Sequence, residues 1–177
     1  VEILSSFILK WEGGWVNHAN DPGGATNMGV TIGTWKSQGY DKNGDGRIDV
    51  KDLKIITKED ATLMLKSNYW NRWFADQIGS QAVANTLVDW VWGSGAWGIK
   101  IPQRLLGLKE DGIVGYQTMS ALKQTIEKDE KKFLAQLYTA RYKYLDDIIK
   151  ANPKLSVFRK GWVNRMKDLE AFNKKLK

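Results

Sequence analysis

Near the N-terminus, the run WEGGWVNHANDPGGATNMGVT carries Glu12, then Asp21 nine positions on, then Thr26 five further. Two carboxyls and a hydroxyl are what hydrolysis of a glycosidic bond needs. One carboxylic acid protonates the leaving oxygen while a second carboxylate on the opposite face activates water, and inverting enzymes keep the two about 6.5–9.5 Å apart to admit that water. A threonine hydroxyl, both donor and acceptor, suits the orienting of the water. A general acid must hold its proton until transfer, and the negative end of a helix together with aromatic cover are surroundings that serve this. Glu12 stands where a helical pattern stops, between Trp11 and Trp15. The same spacing is also met by a surface glutamate, a turn aspartate ahead of Pro22 and a capping threonine. What decides is whether the surrounding elements bring the three together.

Those elements read as helices. Ile3, Leu4, Phe7, Ile8 and Trp11 recur at helical spacing and Gly13-Gly14 ends the pattern, so Glu12 closes the first helix. Residues 13–30, rich in Gly and Pro, predict a loop or small hairpin lobe able to fold Asp21 and Thr26 back toward Glu12. Thr57 with Asp60 predicts a capped helix through about Trp73. Ser80 opens another, SQAVANTLVDWVW, stopped by Gly93-Ser94-Gly95. Pro102 lies near the start of a further short helix, EDGIVG makes a turn, and helical patterns cover 116–150 and 156–176. The fold class expected is mainly α, with a small irregular or β lobe near the N-terminus, in a single domain spanning residues 1–177.

Composition narrows the functions. There is no cysteine and one histidine, so the usual zinc sites are excluded and His18 reads as a loop residue. No apolar run approaches the length of a membrane span, which predicts no stable membrane insertion. The chain begins at Val1, and the export route is open. The net charge of +7 is uneven: residues 1–122 sum to −1 and residues 123–177 to +8. Such a basic third fits an anionic cell-wall polymer or a nucleic acid, and equally a solvated helix face. No nucleic-acid recognition motif accompanies it, so no nucleic-acid partner is expected.

The run EGGWVNHANDPGGATNMGVT resembles the signature of the phage-endolysin-type N-acetylmuramidase family of glycoside hydrolases, with E-G-G, D-P-G-G and T-N-x-G in order. NRWFADQI and LVDWVWGSGAWGIKIPQRLLGLKEDGIVGYQTMSAL are similar to that family's second half, where a D-G-x-x-G-x-x-T element resembles a peptidoglycan-binding segment. Tyr116 stands where proline is usual there, and Trp92 where an asparagine is often found. The similarity covers the chain apart from residues 39–56. It implies a lysozyme-like helical domain, with residues 1–100 as catalytic half and residues 101–177 as a helical, peptidoglycan-binding-like half. It further implies a monomer acting on peptidoglycan glycan strands at the bacterial cell wall, periplasmic or extracellular. Glu12 is then the acid, Asp21 the water-activating or charge-stabilising carboxylate, and Thr26 the residue positioning water, at the bond after N-acetylmuramic acid.

Nine tryptophans are many for 177 residues. Indoles stack on the C–H faces of pyranose rings, and they also fill cores. Trp15, Trp90, Trp92 and Trp97 are possible groove residues, with Trp92 and Trp97 favoured beside Gly93-Ser94-Gly95. Asn27 of T-N-x-G joins the substrate-binding candidates, as does Asp89, which faces either the cleft or solvent from its helix.

One stretch stands apart. DKNGDGRIDVKD, residues 41–52, follows the calcium loop D-x-[DN]-x-[DN]-G. Asp41, Asn43 and Asp45 take positions 1, 3 and 5, Arg47 offers a carbonyl, and Asp49 and Asp52 take positions 9 and 12. The aspartate at position 12, where glutamate is usual, makes the loop resemble dockerin-type loops. A structural calcium ion is expected; a solvated acidic turn is the alternative. Rival functions are a lytic transglycosylase, which needs one acid/base glutamate and no activated water, and a non-catalytic wall-binding or secretion-accessory module.

Overall fold

The structure is a computed structural model that describes residues 1–17 and 24–176. Asp21 and His18 lie outside the described residues. The chain divides into two compact units, Val1–Tyr69 and Trp70–Lys177.

The first unit opens with α1 (Glu2–Trp11), which buries Leu4, Phe7 and Ile8 along one helical face. Strands β1 (Thr26–Asn27) and β2 (Val30–Thr31) form an antiparallel pair with Thr26 opposite Thr31 and Asn27 opposite Val30. Met28 (φ 50°) and Gly29 (φ 77°) both lie in the left-handed region, as a tight two-residue hairpin turn requires. Thr31 then caps α2 (Ile32–Gln38), accepting from the Thr34 amide at 3.2 Å. Two short helices follow, α3 (Val50–Lys54) and α4 (Lys58–Leu65), each started by a reciprocal capping box, Asp49 with Asp52 and Thr57 with Asp60. Their apolar faces close on Trp35, Leu53, Val30 and Met64. Gly39 is needed here, because a Cβ would sit 2.5 Å from the Trp35 ring.

The second unit is built around α5 (Gln81–Ser94), capped by Ser80 as expected and buried from Val83 to Val91. Against it pack α6 (Trp97–Leu105), α7 (Tyr116–Ala151) and α8 (Arg159–Lys174). Gly98 lets α6 approach α5, since a Cβ there would overlap the Val91 nitrogen and the Trp90 carbonyl carbon. Helix α5 therefore packs with the elements that follow it, and the compact units meet in sequence at 69/70.

Several helices differ from expectation. The one capped by Thr57 stops being α-helical at Leu65, widens into a π-helical turn (Lys66–Trp70) and then tightens into a 3-10 turn (Asn71–Trp73). Phe74 follows at φ 46°, outside any helix. Pro102 lies inside α6, whose start directly follows the bend at Gly95 (φ 57°), so the helix lacks one internal N–H donor. Helix α7 is two helices joined at Asp129 (φ −165°, ψ 85°), whose carboxylate accepts from the Lys132 amide at 2.9 Å and caps the second piece. The mainly α class and the small β lobe near the N-terminus are as expected.

Candidate active site

Helix α1 delivers Glu12 at its C-terminal end. The Glu12 amide still donates to the Ile8 carbonyl at 2.9 Å, while its own backbone turns extended (φ −78°, ψ 137°). The chain leaving it runs to Val16, which pairs with Thr26 by two backbone hydrogen bonds of 2.9 and 2.8 Å. Thr26 is thereby held between Val16 on one side and Thr31 on the other. Residues fourteen apart in sequence are joined through a ladder whose first rung lies four residues beyond Glu12. Glu12 and Thr26 are both half-buried. Asp21 falls between the two bridged residues in sequence and lies outside the described residues.

The substrate-binding candidates separate by burial. Asn27 is buried, and its side-chain amide donates to the Leu53 carbonyl at 2.9 Å and the Lys54 carbonyl at 3.3 Å. It ties β1 to the end of α3 and is not a groove residue. Asp89 is fully buried inside the second unit, 2.8 Å from Arg141 and 2.7 Å from Arg165, so neither cleft nor solvent is its setting. Burial alone would raise its carboxyl; the two guanidiniums outweigh that and hold it below the usual carboxylate range. Trp15 is half-buried and packs on the core of the first unit, and Trp90 is wholly core. Trp92 is half-buried on α5, whereas Trp97, at the start of α6, is 46% exposed.

Residues 41–52 form a loop that runs into the first turn of α3 and is stitched by its own side chains. Asp41 accepts from the amides of Gly44, Asp45 and Gly46 at 2.7–3.1 Å. Asn43 accepts from the Asp45 amide and Asp45 from the Arg47 amide. Asp52 is buried and accepts from the amides of Asp49, Lys42 and Asn43 at 2.8–3.0 Å. The Asp49 amide leads in holding the Asp52 carboxyl below its usual range. Asp49 itself caps α3 through the Lys51 amide. Among the described residues no three acidic or histidine side chains gather into a ready metal group. The oxygen donors are nonetheless of the type a hard cation takes, and a carboxylate accepting three hydrogen bonds has about one of its four acceptor sites left.

Sequence reasoning missed Gln103, which is buried on α6 and organises the D-G-x-x-G-x-x-T element. Its amide nitrogen donates to Asp111 at 2.8 Å and to the Ile113 carbonyl at 3.0 Å, and its oxygen accepts from the Gly112 amide at 2.9 Å. A glutamine inside an amphipathic helix, eight residues before an Asp-Gly turn, was the available signal.

Residues 5–95 match the family model described as Glycosyl hydrolase 108, and residues 97–167 match the one described as Predicted Peptidoglycan domain. Among solved structures, the structure of Brucella abortus SagA is 30% identical, with a TM-score of 0.71 over 95% of this chain and 90% of that one. Comparison with curated proteins gives no match. Among the described residues no helix is long and apolar enough to cross a membrane. With Glu12, the Val16–Thr26 ladder and Thr26 all inside the first matched segment, which spans half of its residues, the chain belongs to the glycosyl hydrolase 108 family.

Proposed function

We propose that this chain is an N-acetylmuramidase that hydrolyses the glycosidic bond between N-acetylmuramic acid and N-acetylglucosamine in peptidoglycan, acting as a monomer at the bacterial cell wall. The observation that carries the reading is the backbone ladder returning Thr26 beside the chain that leaves Glu12, within the glycosyl hydrolase segment. Glu12 gives its proton to the glycosidic oxygen as the bond from the muramic C1 breaks. Asp21 takes a proton from the water that attacks C1, or stabilises the charge developing there, and Thr26 orients that water. The basic third of the chain favours an anionic wall over a neutral glycan.

The reading is tested on purified sacculi by release of new reducing ends. Asp21→Ala is expected to lower that rate at least about 100-fold, the lower range of general-base effects, while Asp21→Glu keeps part of it. Full rate in Asp21→Ala would leave a one-carboxylate mechanism. Binding to sacculi with no reducing ends from the parent chain would favour a wall-binding module.

A structural calcium ion in residues 41–52 belongs to the same proposal. Asp41, Asn43, Asp45, Asp49 and Asp52 would hold it through side-chain oxygens and Arg47 through its carbonyl. The ion would neutralise their mutual repulsion and take no part in bond cleavage. Its stabilisation must grow with concentration as RT ln(1 + [L]/Kd), so Tm is expected to rise from excess chelator to about 10 mM calcium, and less with magnesium. Asp41→Ala or Asp45→Ala is expected to abolish the rise. A Tm that does not move would show that the amide bonds alone maintain the loop.

A further inference from the structure

We infer that the groove between α6 and α7 is a sugar-stacking subsite for the same wall glycan, formed by residues other than the catalytic three; this rests on the peptidoglycan reading above. The groove encloses about 550 Å³, within the range of small-ligand sites, and is floored by Trp97, Ile101, Leu105, Tyr144 and Ile148. Its aromatic wall is anchored in the core. The Tyr144 ring lies 6.1 Å from that of buried Trp90 and 6.3 Å from that of Trp97, inclined at 55° and 37°, so the exposed indole continues a chain of tilted ring contacts whose inner member is fully buried. A ring held this way loses little freedom on binding, and an indole face suits the C–H face of a pyranose. The aliphatic floor suits the methyl of an N-acetyl group.

Charge selects among apolar occupants. Arg104 and Lys143 line the groove, and Lys100 stands over the Trp97 ring beside it. Arg104 is engaged by Glu110 and Lys143 by Asp147, whereas Lys100 holds its ammonium 5.3 Å from the centre of the Trp97 ring and forms no ion pair among the described residues. Cations beside the indole are complementary to a sugar bearing a carboxylate nearby, as a muramic acid with its stem peptide does. The groove lies wholly within the segment matched as a predicted peptidoglycan domain.

The test uses the full chain carrying Glu12→Gln, so that sacculi are not digested, and two probes: purified sacculi by co-sedimentation and a soluble, neutral N-acetylglucosamine oligomer by titration. Adding Trp97→Ala is expected to weaken binding of both about threefold to tenfold, and Trp97→Phe to restore most of it. Lys100→Glu reverses the charge beside the indole and, with a thermal melt to show that the fold survives loss of the Lys100 contacts to Gly112 and Trp97, is expected to weaken sacculus binding more than binding of the neutral oligomer. Parental affinity of Trp97→Ala for both probes would overturn the subsite. So would a concentration-dependent dimer that Trp97→Ala dissolves, because the face would then belong to a second copy. Reducing-end release by the chain with Glu12 intact is measured alongside: its absence sinks the hydrolase reading, whereas its presence with unchanged Trp97→Ala binding sinks the subsite alone.

Discussion

Glu12→Gln is expected to fold like the parent and to lose lysis by about 10²–10⁴-fold, the range that general acid catalysis supplies. The substitution keeps the size of the side chain and replaces the ionisable carboxyl by an amide with no proton to transfer. Glu12 is half-buried at the end of α1, and the bond that closes the helix, from its backbone amide to Ile8, is untouched by the change. A turbidity assay on outer-membrane-stripped cells, paired with thermal melts, separates the two effects. A rate near that of the parent would remove Glu12 as the acid, and a lost fold would be countered by Glu12→Asp, which retains a carboxyl.

The second large effect is on stability. Asp89 on α5 joins α7 through Arg141 and α8 through Arg165, and it is wholly buried while Arg141 is 5% exposed. Asp89→Ala leaves a buried guanidinium uncompensated, a change that typically costs about 3–5 kcal/mol, against a total stability of about 5–15 kcal/mol for an ordinary domain. Denaturant melts should show this as a large fall in midpoint. The pH dependence has a definite sign. Burial opposes the Asp89 charge, but the arginines win and its folded carboxyl lies below the ordinary value, so its contribution is full above the unfolded pKa of about 3.9. It is lost as pH falls through the folded value, where the unfolded chain binds the extra proton. Asp89→Ala should therefore flatten the acid limb of the stability curve as well as lower its plateau. An unchanged midpoint would mean that the ion triad holds nothing together.

What could be read from the residues is what short-range chemistry writes down. Gly13-Gly14 marks the end of α1 and so the position of Glu12, Thr57 and Ser80 declare helix starts through side-chain caps, and the T-N-x-G stretch becomes a hairpin because Gly29 takes one of its two positive-φ positions. The misreadings involve partners distant in sequence. Asp89 looks like any helix carboxylate until Arg141 and Arg165, 52 and 76 residues away, close on it. Asn27 belongs to a family-like motif, yet its amide is engaged by carbonyls 26 and 27 residues on. The break at Asp129 has no Gly or Pro to announce it, and a capping carboxylate does the work in an otherwise continuous helical pattern. Trp97 was legible as a candidate from its glycine neighbours; its platform, made with Tyr144 from α7, was not.

The claim that two carboxylates and an oriented water hydrolyse the bond after N-acetylmuramic acid is tested most directly by mass spectrometry of the fragments that the parent chain releases from purified sacculi in heavy-oxygen water. The account predicts reducing N-acetylmuramic acid ends, each carrying one oxygen from the solvent at C1. Fragments ending in 1,6-anhydro-N-acetylmuramic acid, lighter by one water and free of the label, would contradict it and make the reaction an intramolecular transglycosylation, in which Asp21 and Thr26 have no water to handle.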